Sequence, residues 1–225
     1  MSKNSKSAED SVADNLRITE IFCSLQGESR TIGWPTTFIR LTGCPLRCRY
    51  CDTEYAFRGG TVMTQQAILE QTAEYGVQHV TVTGGEPLAQ KAVHRLLKSL
   101  CDTGYQVSLE TSGALAIDDV DSRVTVVMDI KTPSSGEQTK NLYDNIPKLK
   151  PNDEVKFVIA NREDYEWACE CILEHNIADR CDVLMSPAFA EQDAAELAKW
   201  IVDDRLPVRF QLQLHKILWG DKPGY

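Results

Sequence analysis

The sequence predicts an α/β fold, a partial (open) TIM-like barrel of about six parallel strands with helices on its outer face. Three observations lead to this prediction. From Thr37 onward, short runs of β-branched residues alternate with amphipathic stretches, which is the pattern of βα units and a parallel sheet. The strands are too few for a closed eight-stranded barrel. Residues of unusual chemistry follow the strands, at the edge where parallel α/β folds bind ligands.

We expect a short first strand over Arg17–Phe22, followed by strands that belong to βα units. Those strands are Thr37–Leu41, His79–Thr83, Gln106–Glu110, Val124–Ile130, Val155–Ala160, Asp182–Met185 and Val208–Leu214. The spacing of apolar residues predicts helices between them. The expected helices are Thr64–Tyr75, Leu88–Leu100, Arg162–His175 and Ala190–Asp203.

Length, charge and composition favour one domain that acts on a small molecule. The chain has 225 residues, and we expect a disordered polar tail over residues 1–16 and a single domain over residues 17–225. A net charge of −9 disfavours binding to nucleic acid or to an anionic membrane. No apolar run approaches the length of a membrane span, and the tail lacks the apolar core of a signal peptide. We therefore expect a cytoplasmic protein.

Three cysteines within eight residues, Cys44, Cys48 and Cys51, form the most informative motif. They offer three thiolates to one metal centre, and no nearby Cys or His completes a structural zinc site. A four-iron cluster held by three thiolates keeps one iron open for an exchangeable ligand. Zinc and a redox dithiol stay open as alternatives. We expect the other cysteines to be reduced and to act as small hydrophobic residues.

The spacing C-x-x-x-C-x-x-C, with Tyr50 between the last two cysteines, resembles the radical S-adenosylmethionine (SAM) enzymes. The segment Thr83–Pro87, which reads Thr-Gly-Gly-Glu-Pro, resembles the Gly-Gly-Glu element of that superfamily. The resemblance implies a [4Fe–4S] cluster on Cys44, Cys48 and Cys51, with SAM on the open iron. It further implies that the reduced cluster cleaves SAM to methionine and a 5′-deoxyadenosyl radical, with no catalytic side chain beyond the bound cofactors.

The same resemblance implies SAM contacts at the strand ends. Two glycines where a strand turns outward would let the backbone approach a ligand, and Glu86 would hold the SAM ammonium group. The alternative role of the hydroxyl and charged groups after later strands is a helix cap or a solvated loop. The Ser186-Pro187 form departs from the Gln-Pro form of related enzymes, so only a backbone role carries over there. The expected SAM contacts are Gly85, Glu86, Glu110, Asp129, Ile130, Lys131, Ser134, Ser186, Pro187, Ala188 and Phe189.

Further segments resemble the 7-carboxy-7-deazaguanine synthase family in particular. They are Glu20–Ser29, Phe38–Cys44, Cys51–Thr53 and Gln213–Lys216, and the resemblance covers nearly all of the chain from about Arg17 on. It implies contraction of 6-carboxy-5,6,7,8-tetrahydropterin to 7-carboxy-7-deazaguanine with loss of ammonia, a step toward queuosine that uses Mg²⁺. It also implies a homodimer and an external one-electron donor such as flavodoxin.

This narrower resemblance also implies where the substrate and magnesium bind. Residues 25–28 can meet the alternating donors and acceptors of a pterin, and Glu28 suits a guanidine-like edge. The planar guanidinium of Arg40 suits the substrate carboxylate, and the hydroxyl of Thr53 is a hard ligand for Mg²⁺. The expected substrate contacts are Leu25, Gln26, Gly27, Glu28, Arg40, Thr83, His215 and Pro223.

Two other protein classes share part of this pattern. A glycyl-radical activating enzyme has the same cysteine triad and size, but it acts on a protein backbone and would need neither residues 25–28 nor Thr53. An electron-transfer or structural iron–sulfur protein would need neither an open iron nor a Gly-Gly-Glu turn. Anaerobic turnover with 6-carboxy-tetrahydropterin separates these alternatives.

Overall fold

The computed structural model describes residues 15–220, 222 and 224, and it is built on one nine-stranded sheet. The strands are β1 Asn15–Leu25, β2 Pro35–Leu41, β3 Thr61–Thr64, β4 His79–Gly84, β5 Gln106–Thr111, β6 Thr125–Asp129, β7 Glu154–Ile159, β8 Asp182–Pro187 and β9 Arg209–Phe210. The helices are α1 Gln65–Glu74, α2 Val93–Asp102, α3 Arg162–Glu174, α4 Ala194–Asp204 and α5 Leu214–Trp219. Short 3₁₀ helices cover Glu54–Phe57, Pro87–Ala89, Pro133–Ser135, Gln138–Lys140, Tyr143–Lys148 and Ile177–Asp179.

The sheet is mostly parallel and open. Its strand order is β3-β1-β2-β4-β5-β6-β7-β8-β9. Strands β2 and β4–β9 pair in parallel, whereas β1 pairs antiparallel with both β2 and β3. The two end strands do not pair with each other, which confirms the prediction of an open parallel sheet. None of the helices in the described part of the chain is long and apolar enough to cross a membrane.

Strand β7 shows how alternation separates the core from the ligand side of the sheet. Val155, Phe157 and Ile159 are buried in the hydrophobic core. Lys156 and Val158 alternate with them, are only partly buried, and line a cavity on the other face. The sheet is therefore apolar toward its helices and polar toward the cavity.

The first strand is longer than the sequence predicts. It begins at Asn15 rather than Arg17, and its first two residues pair with Thr64 and Met63 of β3. The side chain of Leu16 is buried. The predicted tail therefore ends at least two residues earlier, because β3, which was not predicted, supplies a partner for the start of β1. Residues 1–14 lie outside the described part of the chain.

The prediction of a last strand over Val208–Leu214 is wrong beyond its first residues. Only Arg209–Phe210 pair with β8. The amide side chain of Gln211 bonds the backbone of Ser29, and Leu214 opens helix α5, its N–H donating to Gly27 O at 2.9 Å. The backbone N–H of Gln211 still donates to Met185 O of β8 at 3.0 Å, so the chain leaves the sheet after this residue, where Leu214 bonds the loop between β1 and β2.

The other elements lie close to their predicted positions, with two differences at helix starts. The stretch predicted as one helix from Leu88 is a 3₁₀ turn followed by α2, which begins at Val93. Helix α4 begins at Ala194 instead of Ala190, because the Asp193 side chain accepts from Glu196 N at 2.8 Å and caps the helix there.

Candidate functional site

One cavity of about 470 Å³ brings together most of the residues that the sequence singled out. This volume is within the usual range for small-molecule sites. The cavity lies at the carboxyl ends of the parallel strands and is lined by residues from nearly every strand-end segment. The predicted residues on its wall are Leu25, Gln26, Gly27, Glu28, Arg40, Cys44, Cys48, Cys51, Thr53, Thr83, Gly85, Glu110, Asp129, Lys131, Ala188, Phe189 and His215. The predicted contact Pro223 lies outside the described residues.

The loop that carries the three cysteines is held by the segment that follows β6. Arg49 donates from its backbone N to Ser135 O at 2.9 Å and from Nε to Ser134 O at 3.0 Å. The hydroxyl groups of Tyr50 and Thr132 are 3.1 Å apart. Ser134 therefore positions the cysteine loop and is not on the cavity wall, so its predicted direct contact with SAM is not supported by its placement.

The cysteine side chains fit an iron–sulfur cluster better than a single metal ion. All three thiols are free, partly exposed and on the cavity wall. Among the described residues, no group of three His, Cys, Asp or Glu side chains is arranged to hold one ion. A four-iron cluster takes each thiolate on a different iron, so its ligands lie further apart. Burial is the main reason that the pKa of Cys48 is raised to about 11. The nearby Lys131 ammonium acts in the opposite direction, and its positive charge suits an anionic centre.

The double glycine after β4 packs against the cysteine loop. A Cβ on Gly85 would overlap the carbonyl oxygen of Gly43 and lie 2.8 Å from the Cβ of Cys44. A Cβ on Gly84 would overlap the backbone of Leu41. The sequence predicted that the two glycines let a ligand approach the backbone closely. In the structure, the groups that leave no room for a side chain are the protein's own backbone atoms. Gly85 still borders the cavity.

The carboxylate of Glu86 is buried among protein donors and is not on the cavity wall. It accepts from Leu88 N at 2.9 Å, from Thr111 Oγ1 at 3.0 Å, and from both the backbone N and the hydroxyl of Ser112. These bonds join the end of β4 to the end of β5. This placement favours a structural role for the carboxylate and does not support the expected contact with the SAM ammonium group.

Three more of the expected SAM contacts are absent from the cavity wall. Ile130 is buried in the hydrophobic core, and its N–H bonds Lys156 O at 2.9 Å. Ser186 and Pro187 are buried at the end of β8. The next two residues, Ala188 and Phe189, do line the cavity. Of the four residues expected to contact SAM in this segment, the last two therefore lie on the cavity wall and the first two do not.

Asp129 and Lys131 form a charged pair on the cavity wall. Lys131 Nζ lies 3.0 Å from Asp129 Oδ2. Burial would lower the pKa of Lys131, but the Asp129 carboxylate raises it above its ordinary value. Asp129 Oδ1 is buried and has no hydrogen-bond partner among the described residues. This oxygen is therefore available to a ligand that carries a donor.

The loop between β1 and β2 closes one side of the cavity. Gln26 Nε2 donates to Thr81 Oγ1 of β4 at 3.1 Å and to Glu110 Oε1 of β5 at 3.3 Å. Ser29, at a positive φ of 66°, bonds the Gln211 side chain twice, at 2.7 and 2.8 Å. The loop therefore reaches across the face of the sheet and holds Leu25, Gln26, Gly27 and Glu28 inside the cavity.

Glu28 is held by residues that the sequence did not single out as site residues. Its Oε2 pairs with Lys156 Nζ, and its Oε1 accepts from Gln213 Nε2 at 2.8 Å. Lys156 is a lysine between the apolar residues Val155 and Phe157 of β7, and this pattern was the available signal. Burial alone would raise the pKa of Glu28, but the Lys156 ammonium lowers it to about 2.

Arg40 lies in β2 with its guanidinium on the cavity wall. Its Nε donates to Glu20 Oε1 at 2.7 Å, and its side chain is stacked near the rings of Phe22 and Tyr55. Among the described residues, the hydrogen bond of the Arg40 side chain is made by Nε. Its two terminal nitrogens can therefore bind a ligand carboxylate.

Thr83 and Thr53 both line the cavity, and the hydroxyl group of each donates to a carboxylate. Thr83 Oγ1 donates to Glu110 Oε2 at 3.0 Å, and burial together with the charge of Glu28 raises the pKa of Glu110. Thr53 Oγ1 donates to Asp52 Oδ1 at 2.7 Å. Asp52 also lines the cavity, so two oxygen groups are adjacent there.

His215 lies in helix α5, directly against Gly27 of the loop between β1 and β2. A Cβ on Gly27 would overlap its Nδ1, so glycine is required where the helix meets the loop. Burial lowers the pKa of His215. A neutral imidazole at neutral pH can both donate and accept a hydrogen bond.

Comparisons with known proteins agree with this geometry. The profile of the Radical SAM superfamily matches residues 38–200. The 7-carboxy-7-deazaguanine synthase of Chlorobaculum tepidum is 47% identical over 209 residues, covering 91% of this chain and 94% of the relative. The enzyme of the same name from Koribacter versatilis is 40% identical over 221 residues, covering 91% and 97%. The crystal structure of QueE from Escherichia coli shares the fold, with a TM-score of 0.76 at 22% identity, covering 95% of this chain and all of that chain.

Proposed function

Because the chain belongs to the radical SAM superfamily and, within it, to the 7-carboxy-7-deazaguanine synthase family, we propose that it is a carbon–nitrogen lyase. Its substrate is 6-carboxy-5,6,7,8-tetrahydropterin, and its products are 7-carboxy-7-deazaguanine and ammonia. The reaction belongs to the biosynthesis of queuosine and related 7-deazapurines.

One observation carries this proposal. The cysteine triad and the loop that holds Leu25, Gln26, Gly27 and Glu28 line the same cavity. A cluster-bound SAM and a pterin held by the loop would therefore be neighbours. When bound, the cluster and SAM supply the one-electron chemistry that generates a radical able to remove a hydrogen atom from the substrate.

The protein's own residues bind and orient the substrate. The ionised carboxylate of Glu28 accepts from the donor edge of the pterin, and the terminal nitrogens of Arg40 bind the substrate carboxylate. The neutral imidazole of His215 packs against Gly27 of the loop between β1 and β2, next to the proposed pterin contacts. Fixed contacts at both ends of a rigid bicyclic ligand restrict which hydrogen faces the radical source.

SAM would occupy the part of the cavity next to the cysteines. The wall there includes Gly85, Asp129 and Lys131, with Ala188 and Phe189 on the β8 side. The unpartnered Oδ1 of Asp129 suits a ligand hydroxyl or ammonium donor.

Magnesium would bind at Thr53. The support is the adjacency of the Thr53 hydroxyl and the Asp52 carboxylate on the cavity wall, since Mg²⁺ prefers oxygen ligands and keeps several waters. Thr53→Ala should lower turnover and blunt its response to added Mg²⁺, while the visible absorbance of the cluster is retained. Thr53→Ser is the matched control, because it keeps the hydroxyl. An unchanged Mg²⁺ response in Thr53→Ala would contradict this site.

The remaining parts of the proposal concern partners and location. The cluster needs an external one-electron donor such as flavodoxin. A homodimer is proposed from the family, and the exposed apolar side chains of Ile217 and Leu218 in helix α5 are compatible with an interface. A cytoplasmic location suits a protein whose cysteines are all free.

Anaerobic turnover tests the proposed function. The reconstituted enzyme is incubated with SAM, a reductant, Mg²⁺ and 6-carboxy-tetrahydropterin, and the products are identified by mass spectrometry. Release of 7-carboxy-7-deazaguanine is expected. Slow uncoupled SAM cleavage, together with a glycyl radical on a partner protein, would instead support an activating enzyme.

A further inference from the structure

Lys156 is a partly buried cation on the cavity wall, and neither the sequence nor the proposed cofactors give it a role. It is the third residue of β7, and its side chain is 13% exposed. Its ammonium group contacts Glu28 Oε2 and lies 3.6 Å from Asp129 Oδ2. It is therefore placed between the carboxylate on the substrate side and the carboxylate on the SAM side.

Lys156 controls the charge of Glu28. Burial alone would raise the pKa of this carboxyl, and the Lys156 ammonium reverses that effect and lowers it to about 2. Burial would also lower the pKa of Lys156, but the charges of Glu28, Asp129 and Glu110 raise it. Both members of the pair are therefore ionised at neutral pH.

The other groups that face Glu28 do not replace this effect. Gln213 donates one neutral hydrogen bond. His215 is held neutral at pH 7 because burial lowers its pKa. Glu110 is another acid, and its own pKa is raised by burial and by the Glu28 charge. Lys156 is thus the cation in direct contact with Glu28 among the described residues.

The ionisation of Glu28 decides which ligand edge it accepts. An ionised carboxylate only accepts hydrogen bonds, whereas a protonated carboxyl donates one and accepts another. A pterin presents two donors side by side, its 2-amino group and the neighbouring ring N–H. A lumazine, in which an oxygen replaces the amino group, presents one acceptor and one donor.

We propose that Lys156 is a positioning residue that determines specificity: by pairing with Glu28 it fixes that carboxylate as a double acceptor and so selects 2-aminopteridines over 2-oxopteridines. The inference rests on the proposed function, since it takes the pterin edge to be the ligand of Glu28. Lys156 acts through Glu28 and not on the reacting atoms.

Binding of two ring systems tests this proposal without turnover. The cluster-loaded enzyme is kept anaerobic with SAM and without reductant, and it is titrated with 6-carboxypterin and with 6-carboxylumazine. The wild type should prefer the pterin. Lys156→Met should lower that preference by at least about tenfold, because the altered carboxyl no longer matches two donors. Lys156→Arg, which keeps the cation, should retain most of it.

The pH profile gives an independent readout. From about pH 5 to about pH 7.5, pterin binding by the wild type should show no titration of Glu28, because its pKa lies below this range. In Lys156→Met, burial without the cation raises the Glu28 pKa, so pterin binding should strengthen as the pH rises.

Two controls separate this role from a merely structural one. Lys150 also pairs with a buried carboxylate, Asp153, at 3.2 Å, and it lies outside the cavity wall. Lys150→Met should lower stability without changing the preference between the two rings. In a Glu28→Gln background, adding Lys156→Met should change the preference no further, because Lys156 acts through Glu28.

The outcomes that overturn the proposal are specific. An unchanged ring preference in Lys156→Met would show that the pair does not set specificity. An equal loss of preference in the Glu28→Gln background would show that Lys156 contacts the ligand directly. If Lys156→Met does not fold, Lys156→Gln carries the same test. If the wild type binds neither ring, the proposed function itself fails and this inference fails with it.

Discussion

Arg40 and Glu86 are both charged residues at the cavity end of the sheet, but their partners give them different roles. Arg40 has one hydrogen bond from Nε, to Glu20, and its guanidinium borders the cavity. Glu86 has both oxygens occupied by protein donors and lies off the cavity wall. A free donor beside a cavity indicates ligand binding, whereas a carboxylate that is fully satisfied and lies away from the cavity wall indicates a role in stability.

Replacing Arg40 should weaken substrate binding and leave SAM binding intact. We expect Arg40→Ala to cost about 2–5 kcal/mol in binding, because it leaves the ligand carboxylate buried without its charged partner. Anaerobic calorimetry with 6-carboxypterin and, separately, with SAM measures this. Arg40→Lys keeps the charge but loses the planar pair of donors, so its affinity for 6-carboxypterin should lie between those of the wild type and Arg40→Ala. If Arg40→Ala lost SAM affinity as well as pterin affinity, Arg40 would not be specific to the substrate carboxylate.

Replacing Glu86 should destabilise the fold while SAM affinity changes little. Glu86→Ala leaves the buried donors of Thr111 and Ser112 without an acceptor, at a cost of about 1–3 kcal/mol for each unsatisfied group. Thermal and denaturant unfolding measure the loss. Glu166→Ala, which removes an exposed pair with Arg162, is the control and should change stability little. Loss of SAM binding in a stable Glu86→Ala protein would restore the original assignment.

At the scale of elements, the turn after β4 and the cysteine loop after β2 form one packed unit. The carbonyl of Gly43 accepts from Glu86 N at 2.8 Å, and Gly85 allows this contact because it has no Cβ. The two loops follow strands that pair in parallel. The position of the cysteines therefore depends on the turn as well as on their own segment.

A methyl group on Gly85 should disturb the cluster site. Gly85→Ala would push the turn away from Gly43 and Cys44, so we expect lower iron content and weaker visible absorbance after reconstitution. Gly76→Ala is the control for a substitution at glycine, because it adds strain at a positive φ of 64° with no atom within 4 Å. Full iron content in Gly85→Ala would show that the loop adapts.

The sequence predicts elements where the pattern is local. Strands such as His79–Gly84 have runs of β-branched residues, and α2 has its apolar residues on one face, so both elements were predicted, although α2 begins at Val93 rather than at Leu88. Residues 212–214 were predicted as strand, yet they leave the sheet, and the N–H of Leu214 bonds the distant carbonyl of Gly27 at the start of helix α5. Such partners are not visible in a local pattern.

The residues of the candidate site also differ in how visible they were in the sequence. The cysteines and residues 25–28 were found because their spacing or their resemblance is specific. Lys156 was missed because a single lysine in a strand has no spacing signal, and its role depends on contact with Glu28 across 128 positions of sequence. The placement of Glu86 does not support the SAM contact expected from the motif, because a motif does not show which donors the two oxygens of a carboxylate meet.

At the scale of the whole molecule, the β1–β2 loop ties the first strand of the chain to its last. Ser29 and Gln211 are 182 positions apart and share two buried hydrogen bonds. Arg30 adds an ion pair to Asp182 at 2.9 Å, but both side chains are about 40% exposed, so this pair contributes little. The buried amide of Gln211 is therefore the stronger link.

Replacing Gln211 should loosen the substrate side of the cavity only. Gln211→Ala leaves the buried N–H of Ser29 without its acceptor, at a cost of about 1–3 kcal/mol. We expect weaker binding of 6-carboxypterin with unchanged iron content and SAM affinity, measured by calorimetry and iron analysis. Gln66→Ala, on the surface of α1, is the control. If SAM binding fell as much as pterin binding, the link would serve the whole cavity.

This link also sets an order of assembly. Ser29 is synthesised long before Gln211, and closing so long a loop costs entropy that shorter contacts do not pay. Neighbouring βα units can form as the chain emerges, whereas the loop can dock only after β9 has been made. A ribosome-bound chain can therefore hold a largely formed sheet while it still lacks one wall of its cavity, and it acquires the capacity to hold substrate in one of its last folding steps.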